Sequence, residues 1–159
     1  NYKSWTLFKK ESIEIFKKLS DFVPYLQIEA FNLHFIDQFM WLSNEEQVPI
    51  KLIFSEKSDL LSRDFFESNN SFFVLNTEKK NIDLDFIHFD RIDIRIDNKV
   101  KIPISLSHNV AIPFDKTYKL EYLLNSKKFS NRLDWSFKQN KILLGNLLTN
   151  PVLEKINLL

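Results

Sequence analysis

The chain has 159 residues, 44% of them apolar, with 22 basic against 21 acidic side chains and a formal charge of +1. That length and balance describe one globular domain whose core can draw on sixteen phenylalanines and three tryptophans, and the near-neutral charge argues against a strong binder of phosphate backbones. Zero cysteines exclude disulfides, thiolate catalysis and cysteine-based zinc sites, and the single glycine, Gly145, excludes phosphate-cradling and nucleophile-elbow loops that need two or more.

Trp5, Phe8, Ser12, Ile15, Phe16 and Leu19 recur at helical spacing, which predicts a first helix capped by Ser4 and ended by Asp21 and Pro24. Leu26, Ile28 and Ala30 then alternate in one frame. Phe31, Leu33 and Phe35 alternate in the other, continued by Phe39 and Trp41. Period two belongs to a strand, and a slip between Ala30 and Phe31 is what a β-bulge produces. Residues 48–54 read as a short second strand or a loop, and 59–66 as a short helix ending at Glu67. Ser68-Asn69-Asn70-Ser71 is a turn cluster, 72–77 reads as strand, and Glu78-Lys79-Lys80-Asn81 as a polar break.

Ile82, Leu84 and Phe86 share a strand face; the apolar frame slips for Ile87 and Phe89 and slips back for Ile92, Ile94 and Ile96. Val100, Ile102, Ile104 and Leu106 resume the alternation. A three-residue loop at 97–99 pairs Ile96 with Val100, Ile94 with Ile102 and Ile92 with Ile104, which keeps one face apolar. With no glycine in that loop, Asn98 or Lys99 takes the positive φ, and Pro103 takes a position where no N–H is needed. After Pro113 the pattern turns helical. Asp115 caps a helix to about Leu124, 126–130 is a break, and 131–148 is a long helix with Leu133, Phe137, Leu144 and Leu148 on one stripe. Gly145, in its final turn, implies close packing on a neighbour. Asn150 caps a short last helix that Pro151 opens. A helix, a run of strands and then a run of helices define a single α+β domain, 1–159, with a mostly antiparallel sheet flanked by an N-terminal helix and C-terminal helices.

Several side-chain groups are candidates for function. Asp83 and Asp85 share a strand face and, with His88 and Asp90, form a candidate catalytic group for general acid/base or phosphate chemistry; with 21 acids some such pair is expected by chance. Asp90 with Asp93 is a weaker metal candidate. The row Arg91, Asp93, Arg95, Asp97 reads more simply as a solvated strand face with cross-strand ion pairs. His34, His88 and His108 lack metal-ligand spacing, so no metal or cofactor is expected. Lys127, Lys128 and Arg132, with Phe129 or Trp135 for stacking, are a candidate nucleic-acid face, against ordinary helix-surface charge as the simpler reading. Phe65-Phe66 and Phe72-Phe73 set adjacent rings on opposite faces. One of each pair is exposed unless both faces are covered, so all four are candidates for a protein interface or a second subunit.

Three stretches resemble a sporadically distributed bacterial protein family whose members have no assigned activity. They are Tyr2, Trp5 and Phe8; the strand Phe31-Asn32-Leu33-His34-Phe35-Ile36-Asp37-Gln38-Phe39; and Asn140-Lys141, Leu143-Leu144, Leu147-Leu148-Thr149 and Val152-Leu153. The resemblance spans nearly the whole chain, with Asp37 standing where the family has a more basic strand end. It implies a further β-rich segment before Tyr2, so the chain is expected to be the C-terminal part of a longer protein, in keeping with a start that has neither Met nor a signal peptide. It carries over no catalytic residue. Its patchy distribution fits a mobile or defence-associated locus. With no apolar run long enough to cross a membrane and no cysteine, the expectation is a cytoplasmic, non-catalytic binding or assembly domain with a protein partner or as a homo-oligomer. A metal- or phosphate-dependent enzyme and a nucleic-acid-binding protein are the alternatives.

Overall fold

The computed structural model describes residues 4–39, 49–67, 71–81, 86–97 and 104–158. Helix α1 (Trp5–Phe22) starts where Ser4, in extended backbone, accepts a 3.2 Å hydrogen bond from the Leu7 N–H through its hydroxyl. Such a cap contributes about 1 kcal/mol. The helix ends at Val23, just before Pro24.

Strands β1 (Gln27–Phe39), β2 (Ser71–Asn81), β3 (Phe86–Ile96) and β4 (Ile104–Lys119) form one sheet in the order β1-β4-β3-β2, with each neighbouring pair antiparallel. Helices α2 (Ile50–Ile53) and α3 (Arg63–Glu67) lie between β1 and β2 along the chain, and α4 (Leu120–Asn125), α5 (Lys128–Leu147) and α6 (Asn150–Lys155) follow the sheet. Helix side chains cover one face of the sheet, while Ile36, Phe72, Ile87 and Phe89 on the other face are exposed. This is the α+β architecture that the order of elements predicts.

The register of the β3–β4 hairpin differs from the expectation. Ile96 pairs with Ile104, Ile94 with Leu106 and Ile92 with His108, four residues further along β4 than a loop at 97–99 requires. An even shift leaves the same side chains on the same face, so the apolar pattern alone cannot choose between the two registers. The observed one leaves residues 97–103 between the last described pair, Ile96–Ile104, of the two strands. The anticipated strain at Asn98 or Lys99 lies outside the described residues. Among those described, the non-glycine residues at positive φ are Lys127 and Asn157.

Strand β3 also keeps a single frame. Phe86, His88, Asp90, Ile92, Ile94 and Ile96 point inward, while Ile87 and Phe89 are each 42% exposed. The expected slips do not occur because β2 pairs with it residue by residue from Asn81–Phe86 to Ser71–Ile96, which leaves no room for an extra residue. For the same reason β2 runs through Glu78, Lys79 and Lys80 rather than breaking there. In β1 the irregularity falls between Ile28 and Ala30, whose partners Tyr118 and Pro113 are five residues apart; the extra residues therefore belong to β4 and not to β1.

Other boundaries move in ways that packing explains. Residues 50–53 are helical, and Ile53 and Phe54 are buried as Phe54 bridges to Leu148. Asp115 lies within β4, where its carboxylate accepts a 2.9 Å bond from the Tyr118 hydroxyl instead of capping a helix. Thr149 is the N-cap of α6 in place of Asn150, and its hydroxyl donates to the Leu52 carbonyl at 2.6 Å, tying the end of α5 to α2. Gly145 is exposed, and a Cβ there would meet nothing within 4 Å, so it does not mark a close helix contact.

The core falls into two apolar clusters. One joins Ile92, Ile94, Ile96, Ile104 and Leu106 to α2, α3, α6 and the end of α5. The other joins Phe31, Phe86, Val110 and Ile112 to α1, α4 and the start of α5. Between them His88, Asp90 and His108 sit on the same inner face, with Ser136 and Asn140 of α5.

Candidate functional site

The polar band is built from register. Because β3 holds one frame, His88 and Asp90 point into the core, and because Ile92 pairs with His108, His108 lies diagonally across from Asp90. The Asp90 carboxylate stands 3.4 Å from His88 Nε2, 3.4 Å from His108 Nε2 and 3.1 Å from the ammonium of Lys79, which reaches in from β2. On its other side His108 Nδ1 lies 3.0 Å from Asn140 Oδ1. A doubly protonated ring donates from both nitrogens; a neutral ring bonds both neighbours only if the Asn140 amide is turned to donate. Burial by itself raises a carboxyl, but the hydrogen bonds from His108 and Lys79 and the Lys79 charge outweigh it and hold Asp90 below the ordinary carboxylate range. Burial lowers His88, more than Asp90 raises it, so this ring is neutral at neutral pH. It packs edge-on to Trp135, with ring centres 4.6 Å apart.

The His88, Asp90 and His108 side chains of this band are buried. His108 is 2% exposed with both ring nitrogens engaged, and Asp90 is 6% exposed. The band does, however, position Asn140, and Asn140 lines an open cleft of about 690 Å³ beside the edge strand β1. Leu33, Phe35, Asp37 and Phe39 enter the cleft from β1, Trp5 and Phe8 from α1, Phe137, Lys141 and Leu144 from α5, and Ile156 and Leu158 from the C-terminal end. Trp5 and Phe137 stack in parallel with centres 4.2 Å apart. The Trp5 indole N–H donates to Asp134 at 3.2 Å, and Lys9 pairs with the same carboxylate, which fixes α1 against α5. The Lys141 ammonium lies 5.1 Å from the centre of the Phe137 ring.

Asp37 is the acidic side chain of this cleft. It pairs with Leu106 two residues on from the Phe35–His108 pair, so it faces inward. Its Oδ2 is buried with no hydrogen-bonding partner in the protein. Burial pushes its pKa up, and the nearby His108 offsets only part of the rise. An unpartnered buried oxygen costs about 1–3 kcal/mol.

The sequence candidates are distributed as follows. Asp83 and Asp85 lie outside the described residues. His88 and Asp90 are brought together, in the closed band and away from the cleft. Asp93 points to the opposite face from Asp90, so those two do not share a metal site, and among the described residues no group of three or more His, Asp or Glu side chains is placed to hold a metal ion. Arg91–Asp93 and Arg95–Asp97 pair along the chain at 3.0 and 2.9 Å. Phe65 is buried at 5% exposure, and Phe66 and Phe73 pack against the same cluster. Both rings of the first pair are thus covered, and only Phe72 of the four projects into solvent, at 72% exposure. Lys128 lies over the Tyr118 ring and the Arg132 guanidinium over the Phe86 ring at 3.8 Å, while Lys127 is exposed. No helix among the described residues is long and apolar enough to cross a membrane.

Sequence reasoning missed Asp37 as a site residue. The signal was there: Leu33, Phe35, Asp37 and Phe39 fall in one period-two frame, which places an acid among inward aromatics. No protein-family model, curated protein or solved structure matches the chain.

Proposed function

We propose that the chain is a non-catalytic binding domain whose cleft takes a small apolar amine, the ring or chain lying among Trp5, Phe35 and Phe137 and the amine donating to Asp37. The observation that carries this reading is the buried Asp37 oxygen without a partner, in a cleft whose walls are largely apolar and aromatic, with Asn140 and Lys141 as further polar groups. The cleft volume is in the range of small-molecule sites, and a few polar groups in an apolar cavity are what orients a ligand. Aromatic faces add attraction for a cation once water is displaced. Kinship with the bacterial family of unassigned activity belongs to the same proposal and contributes no site residue.

Indole, tryptamine and indole-3-acetate share one apolar body and differ in the head group, so they test the reading by isothermal titration calorimetry. Tryptamine binds tightest, indole weaker and indole-3-acetate weakest. Asp37→Asn removes most of the preference for tryptamine over indole, a charge-assisted bond being worth about 1.5–3 kcal/mol. Equal affinity for all three, or a preference that survives Asp37→Asn, contradicts the proposal.

A further inference from the structure

The outer face of the sheet lies opposite the helices. The register lays out its rows: Phe72 beside Arg95 and Val74 beside Asp93, then Arg95 beside Ser105 and Asp93 beside Ser107. Phe72, Val74 and Phe89 are exposed there, so apolar surface is interleaved with the alternating charges Arg91, Asp93, Arg95 and Asp97.

That alternation is complementary to itself when read backwards. Lay the face on a second copy with strands reversed, about a two-fold axis crossing β3 at Ile94. Arg91 then lies over Asp97, and Asp93 over Arg95. The neighbouring rows follow: Phe72 over Val74, Ser105 over Ser107. With strands running in the same direction, each charge would instead lie over its own copy. Stacked sheets stand about 10 Å apart with strands within about 30°, so long side chains reach across and the match is tightest beside the axis, at Asp93 and Arg95. A two-fold interface demands this kind of self-complementarity. We infer that the outer sheet face is a homodimer interface in which β3 packs against the reversed β3 of a second copy. Asp37, Trp5 and Phe137 belong to the helical side and none lies on the outer rows of β2, β3 and β4, so ligand binding and dimerisation fail independently of each other.

Sedimentation velocity on the full chain, from micromolar to millimolar concentration, tests the inference. The wild type forms a dimer. Arg95→Asp sets a carboxylate over Asp93 of the second copy at both symmetric positions and raises the dimer dissociation constant by roughly tenfold or more. The double swap Asp93→Arg/Arg95→Asp restores opposite charges across the axis and recovers the dimer. Phe72→Ser weakens it without altering charge. Arg95 and Phe72 are both exposed, so an unchanged far-UV circular dichroism spectrum confirms that the variants fold. A wild type that stays monomeric throughout, a dimer indifferent to both Arg95→Asp and Phe72→Ser, or a monomer that captures a single-stranded oligonucleotide through Arg95 overturns the inference.

Discussion

Asp37 and Gly145 show how a single residue changes meaning once its surroundings are fixed. Gly145 looks like a site of close approach because glycine weakens a helix by about 1 kcal/mol relative to alanine and so ordinarily has a packing reason. No such reason is present: the position is exposed and a methyl group there touches nothing. Gly145→Ala therefore stabilises the fold by about 1 kcal/mol, and thermal unfolding followed by circular dichroism should rise by about 2–4 °C. Asp37 moves the other way, from an inconspicuous acid on an aromatic strand to the one unpaired carboxylate oxygen in the cleft among the described residues. Periodicity placed it on the inner face. Its lack of a partner needed the packing of α5, which no sequence pattern supplies.

At the scale of elements, strand β3 decides the interior. Hydrophobicity favours turning Ile87 and Phe89 inward, but two unbroken ladders hold the alternation and bury His88 and Asp90 instead. For Asp90 the cost is offset by Lys79 and His108, the latter held in turn by Asn140, whereas His88 Nδ1 stays buried without a partner. Removing one member of such a group leaves the others buried and uncompensated, so Asp90→Ala lowers stability by about 3 kcal/mol or more, read as a fall in the urea midpoint. The band also sets a pH dependence. His88 has a lowered folded pKa, so the unfolded chain takes up a proton that the buried ring refuses, and stability declines as pH falls below about 6.5. Asp90, also lowered, contributes stability that is present above its unfolded value near 4 and is lost as pH falls through its folded pKa. His88→Gln flattens the upper part of this decline in urea melts between about pH 5 and 7 while leaving the lower part; an unchanged upper slope contradicts the role assigned to His88.

Over the whole molecule, the class of fold was readable and its assembly was not. The helix at 5–22, the strands and the long C-terminal helix follow from spacing and caps, because amphipathic periodicity is a local property. The four-residue shift between β3 and β4 preserves every inward side chain, so local pattern carries no information about it. The two apolar clusters, the polar band between them and the cleft beside β1 all depend on that register and on α5, and are long-range facts. Among the described residues, helices cover one face of the sheet, where Asp37 lines the cleft, and Phe72, Val74 and Phe89 are exposed on the other.

Burial raises the Asp37 carboxyl and leaves its Oδ2 without a partner, and the Asp37 ¹³Cγ resonance reports its titration directly. In a pH titration of the free protein it titrates above the ordinary aspartate value of about 3.9. With saturating tryptamine the midpoint moves down, because the bound ammonium favours the ionised carboxylate. An Asp37 that titrates at or below the ordinary value in the free protein, or whose midpoint is unmoved by tryptamine, contradicts the account.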